Sequence, residues 1–397
     1  MEQRLLEILF WGSAAGVFHT YFLYPFLLDV WTRRTPPLVH PPVPEPDLPF
    51  VSVLMAVYNE RTVIRQKMEA LLALDYPPDR LRIYVGSDCS TDGTNEVLAR
   101  YAAPPTLVWY ATERTGKPGI LNELYQRATD HRPAGPDHLL LLTDANVFPR
   151  PDALRRLVRP FQDPTIGLVD SHMQHTGTAA GGIAASEDRY IRREVRIKDA
   201  ESRLWRAMIG PFGGCFALRS ELFESVPRHF KVDDFYLAMR VFERGYGAVN
   251  QLGAVCTETV GSSLDGEFRR KRRIGTGNFQ NLKRFRGLWG RFWTPVGFAL
   301  FSHKILRWLV PVFLLVALIA SAILALWGRP LYQIALAVQL LLWVVLPALD
   351  ALLPGLHHRW SLPRDLRYFV RMNQALLLGW VDALGGVTDG TWEPVRE

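Results

Sequence analysis

The chain has 397 residues, 46 Lys or Arg against 39 Asp or Glu for a net charge of +7, and three cysteines. Its apolar residues cluster in the first thirty positions and again after Trp293, a distribution that excludes an ordinary soluble single domain. Cys89, Cys215 and Cys256 show an odd count and no metal-ligand spacing, which excludes a disulfide framework and a zinc site and fits a reducing compartment.

Taken in chain order, residues 5–30 carry only Glu7 and Asp29 as acidic or basic charges and lack a small-residue cleavage site, so 1–32 is expected to be a retained transmembrane helix. Arg33 and Arg34 flank one side against Arg4 on the other, which orients the middle of the chain to the cytoplasm. Residues 33–48 form a Pro-rich linker, because proline fixes φ and resists helix and central strand. From 49 to 292, apolar or β-branched runs at 51–57, 81–86, 107–110 and 139–142 alternate with helical patterns at 60–74, 93–101 and 117–131. That alternation predicts an α/β fold with a mostly parallel sheet and right-handed crossovers. Helices are expected again at 187–205 and 235–244, the second closed by Gly245.

Residues 293–308 mix His303, Lys304 and Arg307 with Phe298, Leu300, Phe301 and Ile305, as an interfacial amphipathic helix would. Residues 309–354 read as a transmembrane hairpin. The remainder, 355–397, holds a stretch at 368–384 that fits either a span or an interfacial helix, interrupted by Arg371, Asn373, Gln374 and Asp382. The chain is therefore expected to be integral to a bacterial-type cytoplasmic membrane, its central domain facing the cytoplasm. Cations at 269–273, with Lys283, Arg284, Arg286 and Arg291, stand beside a membrane segment, where anionic lipid heads account for them without nucleic acid.

Acids follow the strand-like runs in a fixed order. Ligands of open α/β sheets bind beyond the carboxyl ends of the strands, so acids at strand exits converge on one crevice. Ala56, Tyr58 and Glu60 end the first strand where a helix must begin; Asn59 reads equally as a helix cap or as part of a ligand turn. Asp88 leaves the second strand, while Ser90 or Asp92 is placed to cap the next helix. Thr143-Asp-Ala-Asn146 sets two oxygen-bearing side chains two residues apart, a donor set for Mg²⁺ or Mn²⁺ completed by substrate phosphates. Lys117 opens a helix and adds a positive charge; the ordinary alternative is a surface lysine. Asp233 and Asp234 begin another helix, where the dipole accounts for one acid and leaves the second to act as a general base. Gly213 and Gly214 allow close backbone approach. His172 and His175 are expected in a loop without a catalytic role.

Together, Ala56-Val-Tyr-Asn-Glu60, Asp88-Cys-Ser-Thr-Asp-Gly-Thr94, Gly116-Lys117 with Leu121-Asn122, Thr143-Asp-Ala-Asn146, Gly213-Gly-Cys215 and Asp233-Asp234 resemble the membrane-bound family 2 glycosyltransferases over about 49–280. The resemblance implies a GT-A fold, a nucleotide diphospho-sugar donor, expected to be UDP-linked, Mg²⁺ or Mn²⁺, and inversion at the anomeric carbon. Carried over by position, it implies Ala56, Tyr58, Glu60 and Asp88 at the nucleoside, Lys117 at the diphosphate and Asp144 with Asn146 at the metal, though many members have a second aspartate where Asn146 stands. Asp234 is implied as the base beside Asp233, and Gly213, Gly214, Cys215, Arg270 and Arg273 as the side facing a lipid-linked or glycan acceptor. Processive members carry a Gln-x-x-Arg-Trp motif whose ring stacks on the acceptor sugar. Here the stretch reads Arg270-Lys-Arg-Arg-Ile274, which favours single transfer over a translocated polymer. The C-terminal stretch 391–396, with its tryptophan, is the alternative source of an aromatic. A polysaccharide synthase, a glycoside hydrolase with paired carboxylates and a silent membrane scaffold remain as rival readings.

Overall fold

A computed structural model describes residues 1–176, 183–259, 264–353, 361–386 and 390. Its centre is one eight-stranded sheet in the order β3-β2-β1-β4-β7-β6-β8-β5. The strands are β1 (Phe50–Val57), β2 (Leu81–Ser87), β3 (Thr106–Tyr110), β4 (His138–Thr143), β5 (Val147–Pro149), β6 (Ile166–Thr176), β7 (Cys215–Arg219) and β8 (Gly247–Thr259). The four strands foreseen from apolar runs are mutually parallel. β1 and β4 are buried along their whole length, which is why they read as unbroken apolar runs rather than alternating ones. The second half reverses: β7 is antiparallel to both β4 and β6, and β5 to β8, so the sheet as a whole is mixed.

That reversal positions the site. Because β7 runs against β4 with Cys215 opposite Thr143, the Gly213-Gly214 turn entering β7 sits at the same rim as the exit of β4. The order also turns back at β1, with β2 on one side and β4 on the other, which opens the crevice where such sheets take ligands. Helices cover both faces. The helix Gly116–His131 lies so close over β2 that a Cβ at Gly86 would come 2.4 Å from Ile120.

Two expectations move. The helix after β1 starts at Ile64, not at residue 60, because Asn59 takes a left-handed φ of 53° and the amides of Glu60 and Arg61 are held by Thr94 and Asp92 instead of by a helix. His172 and His175 belong to β6 rather than a loop.

Residues 2–32 are helical throughout, as Glu2–Phe18, a π-turn His19–Leu23 and Tyr24–Thr32. This run packs against two C-terminal helices: Phe10 joins Ala317, Ala320 and Leu324 on one and Tyr332 on the next, and a Cβ at Gly16 would meet the Phe313 ring at 2.6 Å. Among the described residues two helices, Pro295–Leu326 and Pro330–Leu352, are long and apolar enough to cross a membrane. No break separates the amphipathic stretch from the apolar one, and His303, Lys304 and Arg307 turn inward to carboxylates rather than outward. The helix Ser361–Leu384 lies along the helix Leu264–Arg284, where Asp382 pairs with Arg272 at 2.6 Å and Arg371 with Asp265 at 3.2 Å. Those pairs account for two of the polar interruptions in its sequence.

Candidate active site

The rim beyond β1 and β2 is built by polar side chains that bind the backbone. Ala56 is buried within β1 opposite Gly86, whereas Tyr58 and Glu60 lie in the turn that follows. Asp92 accepts from the Thr94 amide at 3.0 Å and the Arg61 amide at 3.0 Å, so it ties the start of the short helix Thr94–Leu98 to the neighbouring turn. Asn59 caps nothing; its amide oxygen accepts from the Thr91 backbone at 2.9 Å.

Asp88 is fully buried, and its carboxylate accepts from Thr115 N at 2.8 Å, Gly116 N at 3.1 Å and Arg114 Nε at 3.2 Å. It therefore sets the loop that opens the helix Gly116–His131. Arg114 in turn lies over the Tyr58 ring, 3.4 Å from its centre, forming a flat wall at the strand exit. Sequence reasoning missed Arg114, although its place three residues before Lys117 was the available signal.

Lys117 follows directly from this loop and joins a strand exit to a helix start. Its Nζ is 2.8 Å from Asp144 Oδ1, just past β4, and 3.4 Å from Asp233 Oδ2, at the start of the helix Asp233–Glu243. Burial works against its charge, but Asp144, Asp233 and Asp234 outweigh that and raise the ammonium above the ordinary lysine range. Asp234 shows the opposite balance. Burial, and then the neighbouring charge of Asp233, push its carboxyl up to about 7 against the pull of Lys117. Gly213 explains how backbone reaches this acid. At φ +83° it presents no side chain, and a Cβ there would lie 2.3 Å from Asp234 Oδ2.

Beneath the β4 turn, Lys67 is completely buried and donates to Thr143 Oγ1 at 2.7 Å and to the Val147 carbonyl, bracing both ends of the segment that carries Asp144. Burial brings its pKa down to about 8. A lysine within a helical pattern gave no sequence signal for this role. Asn146 directs its amide to Glu258 Oε1 on β8 at 2.7 Å, and His175 Nε2 stands 4.0 Å from the other Glu258 oxygen. Glu258 was invisible beforehand because β8 was not predicted.

On the remaining side, Arg273 donates to the Lys231 carbonyl at 3.1 Å and lies within electrostatic reach of Asp233, Asp144 and Asp234. Arg270 pairs with Glu267 at 3.0 Å. Gly214 packs against Val147 and Met173, and the Cys215 thiol is buried in the core below the rim. Gly390 comes against the backbone of Arg228 and Phe230, while 391–396 lies outside the described residues.

Among the described residues no three His, Cys, Asp or Glu side chains group as a self-sufficient metal cage. The donors that are present suit a different kind of site. Asp144 keeps about a third of its side chain exposed, and Asp233 Oδ2 is buried with Lys117 as its ion-pair partner at 3.4 Å. One or two carboxylates facing a crevice fit a hard cation whose other ligands are water and phosphate.

The chain is similar to several known proteins. A mannosyltransferase from Pyrobaculum calidifontis, solved in complex with GDP-Man and Mn2+, matches 96% of this chain and 99% of its own, with a TM-score of 0.71 and 25% identity. The beta-monoglucosyldiacylglycerol synthase of Synechocystis sp. is 29% identical over 147 residues, 36% of this chain and 29% of that enzyme. The poly-beta-1,6-N-acetyl-D-glucosamine synthase of Staphylococcus aureus is 24% identical over 60% of this chain and 57% of its own length. The chain thus aligns with well under two thirds of either of these two enzymes. The family model for glycosyltransferase like family 2 covers residues 46–277, more than half of the chain, and with a GT-A sheet carrying the ordered acids, the protein belongs to that glycosyltransferase family.

Proposed function

We propose that the protein is a membrane-anchored inverting glycosyltransferase that moves a sugar from a nucleoside diphospho-sugar, UDP-linked by the sequence resemblance, to a hydroxyl of a lipid-linked or glycan acceptor. The observation that carries the reading is the junction of Lys117 with Asp144 and Asp233, next to an Asp234 whose carboxyl is pushed up to about 7. A base must be unprotonated near working pH and still basic enough to take a proton, which describes this acid. The Tyr58 and Arg114 wall would receive the nucleoside, and Lys117, between two carboxylates, is placed to turn toward a diphosphate.

In the transfer, the acceptor oxygen forms a bond to the anomeric carbon from the face opposite the diphosphate, and the bond to the diphosphate oxygen breaks. Asp234 takes the acceptor proton, and the electron pair leaves on the nucleoside diphosphate, stabilised by Lys117. Mg²⁺ or Mn²⁺ held by Asp144 would neutralise charge on that leaving group. Asn146, already joined to Glu258, steadies the segment beside Asp144. The exposed apolar faces of Pro295–Leu326 and Pro330–Leu352 support membrane anchoring, and a glycolipid synthase among the relatives supports a lipid acceptor. Ile274 in place of an aromatic supports transfer of single sugars.

A panel of UDP-, GDP- and dTDP-sugars assayed for nucleoside diphosphate release tests this reading. One donor should be turned over, and excess chelator or Asp144→Ala should slow it by about 100-fold or more, the usual cost of losing an electrostatic stabiliser. Release at an undiminished rate in both cases would remove the metal and Asp144 from the mechanism.

A further inference from the structure

A set of buried charges lies behind this site without a part in the chemistry. Glu201, fully buried in the helix Ile183–Trp205, accepts from the Tyr24 hydroxyl at 2.8 Å through Oε1 and from the Ile209 amide at 3.1 Å through Oε2. His303, equally buried near the start of the Pro295–Leu326 helix, places Nδ1 2.7 Å from Glu201 Oε1 and Nε2 2.9 Å from Glu194 Oε1. Carboxylate oxygens stand against both ring nitrogens, so the ring sits between two acids. Lys304 and Arg307 meet the same Glu194. Burial alone would raise the Glu194 carboxyl; Arg307, His303 and Lys304 instead hold it well below the ordinary range. Cations that a bilayer surface would draw outward are spent on two acids of the catalytic domain.

This knot ends at the turn beside Asp234. Ile209, held by Glu201, leads into Gly210, whose φ is +79°. A Cβ on Gly210 would lie 2.9 Å from the Phe235 ring and 3.8 Å from Lys304 Cε. Phe235 follows Asp234 directly, and its ring meets Trp308 edge-on at 5.5 Å. Two residues beyond Gly210, the Phe212 amide donates to Asp170 at 3.3 Å, and Asp170 pairs with the buried Lys198 of the Glu201 helix at 2.5 Å. Next comes Gly213, in contact with Asp234 itself. One helix therefore holds both ends of the turn, and that helix is tied to the membrane-side helix through His303.

We propose that His303 is a positioning residue for sugar transfer: through Glu201 it fixes the Ile209–Gly213 turn, and with it the base. The proposal rests on the assignment of Asp234 as base. Removing one partner of a buried ion group leaves the other charge uncompensated, so the carboxylate of Glu201 would seek water and release the Ile209 amide.

The test uses the full chain in nanodiscs, with the donor selected by the panel above, and compares His303→Gln, Glu201→Gln, His303→Lys and Asp234→Asn. His303→Gln and Glu201→Gln should each lower kcat by about tenfold or more, as small misplacements of a reacting group do. Donor KM and nucleoside diphosphate affinity should stay within about twofold, since the donor side is untouched. His303→Lys, which keeps a donor between the acids, should recover most of kcat. Glu201→Gln keeps one oxygen, for Tyr24 or for Ile209, and serves if His303→Gln fails to accumulate. Unaltered kcat in the Gln variants, or donor affinity and kcat falling together without rescue by lysine, would overturn the proposal. Full activity in Asp234→Asn would instead overturn the base assignment itself.

Discussion

At the scale of single residues, the site is governed by how charges are shared out. Lys117 meets Asp144 and Asp233, and Asp234 keeps the raised pKa. Two consequences follow from a carboxyl near pH 7. The rate constant kcat/KM should rise along an acid limb with its midpoint about 7, because the free enzyme's base must lose its proton. A limb centred in the ordinary carboxylate range would contradict the assignment. Stability should behave oppositely. A folded-state pKa above the unfolded value means the contribution of Asp234 is full below the ordinary carboxyl pKa and lost as pH rises through about 7. Asp234→Asn should accordingly raise the melting temperature by several degrees at pH 8 and leave it unchanged near pH 3. Asp234, Asp144 and Lys117 were legible in the sequence because they stand at strand exits or helix starts. Lys67 and Glu258 were not, since each acts through a contact between distant segments; Arg114 offered only its place close before Lys117. Asp88 was legible as a station but not in its geometry: its oxygens hold the loop before Lys117.

At the scale of elements, the parallel half of the sheet could be read directly from runs buried on both faces. The other half could not. β5 is three residues long, and β6 mixes Asp170, Ser171, His172 and His175 into its length, so neither gives a clean apolar or alternating pattern. β7 is buried throughout, but at five residues its run is too short to separate from the turn before it. The pairing of Asn146 with Glu258 across to β8 is an example of what this hid. It also explains why an amide stands where a second acid is common: an aspartate there would face a carboxylate at 2.7 Å. Asn146→Asp should lower stability by about 1–3 kcal/mol at neutral pH, the scale for an uncompensated buried polar contact. Combined with Glu258→Gln, most of the loss should return, as measured by chemical denaturation. A neutral or stabilising Asn146→Asp would show that the pair does not hold the segment.

Across the whole molecule, apolar helices and a polar catalytic sheet share one architecture rather than being joined by a tether. The N-terminal run packs on Pro295–Leu326 through Gly16 and Phe313, and that helix reaches the catalytic domain through Trp308 and His303. Composition alone exposed the apolar segments. It could not show that the cations of 303–307 face inward, because an amphipathic pattern looks the same whether its polar side meets lipid heads or buried acids. The proposed division of labour gives donor binding to Lys117 and Asp144 and proton removal to Asp234. It is tested most directly by measuring donor affinity and sugar transfer together for the full chain in nanodiscs, wild type against Asp234→Asn. Nucleoside diphospho-sugar binding should stay within about twofold of wild type and transfer should fall by about 100-fold or more. Transfer at the wild-type rate, or loss of donor binding in step with transfer, would contradict it.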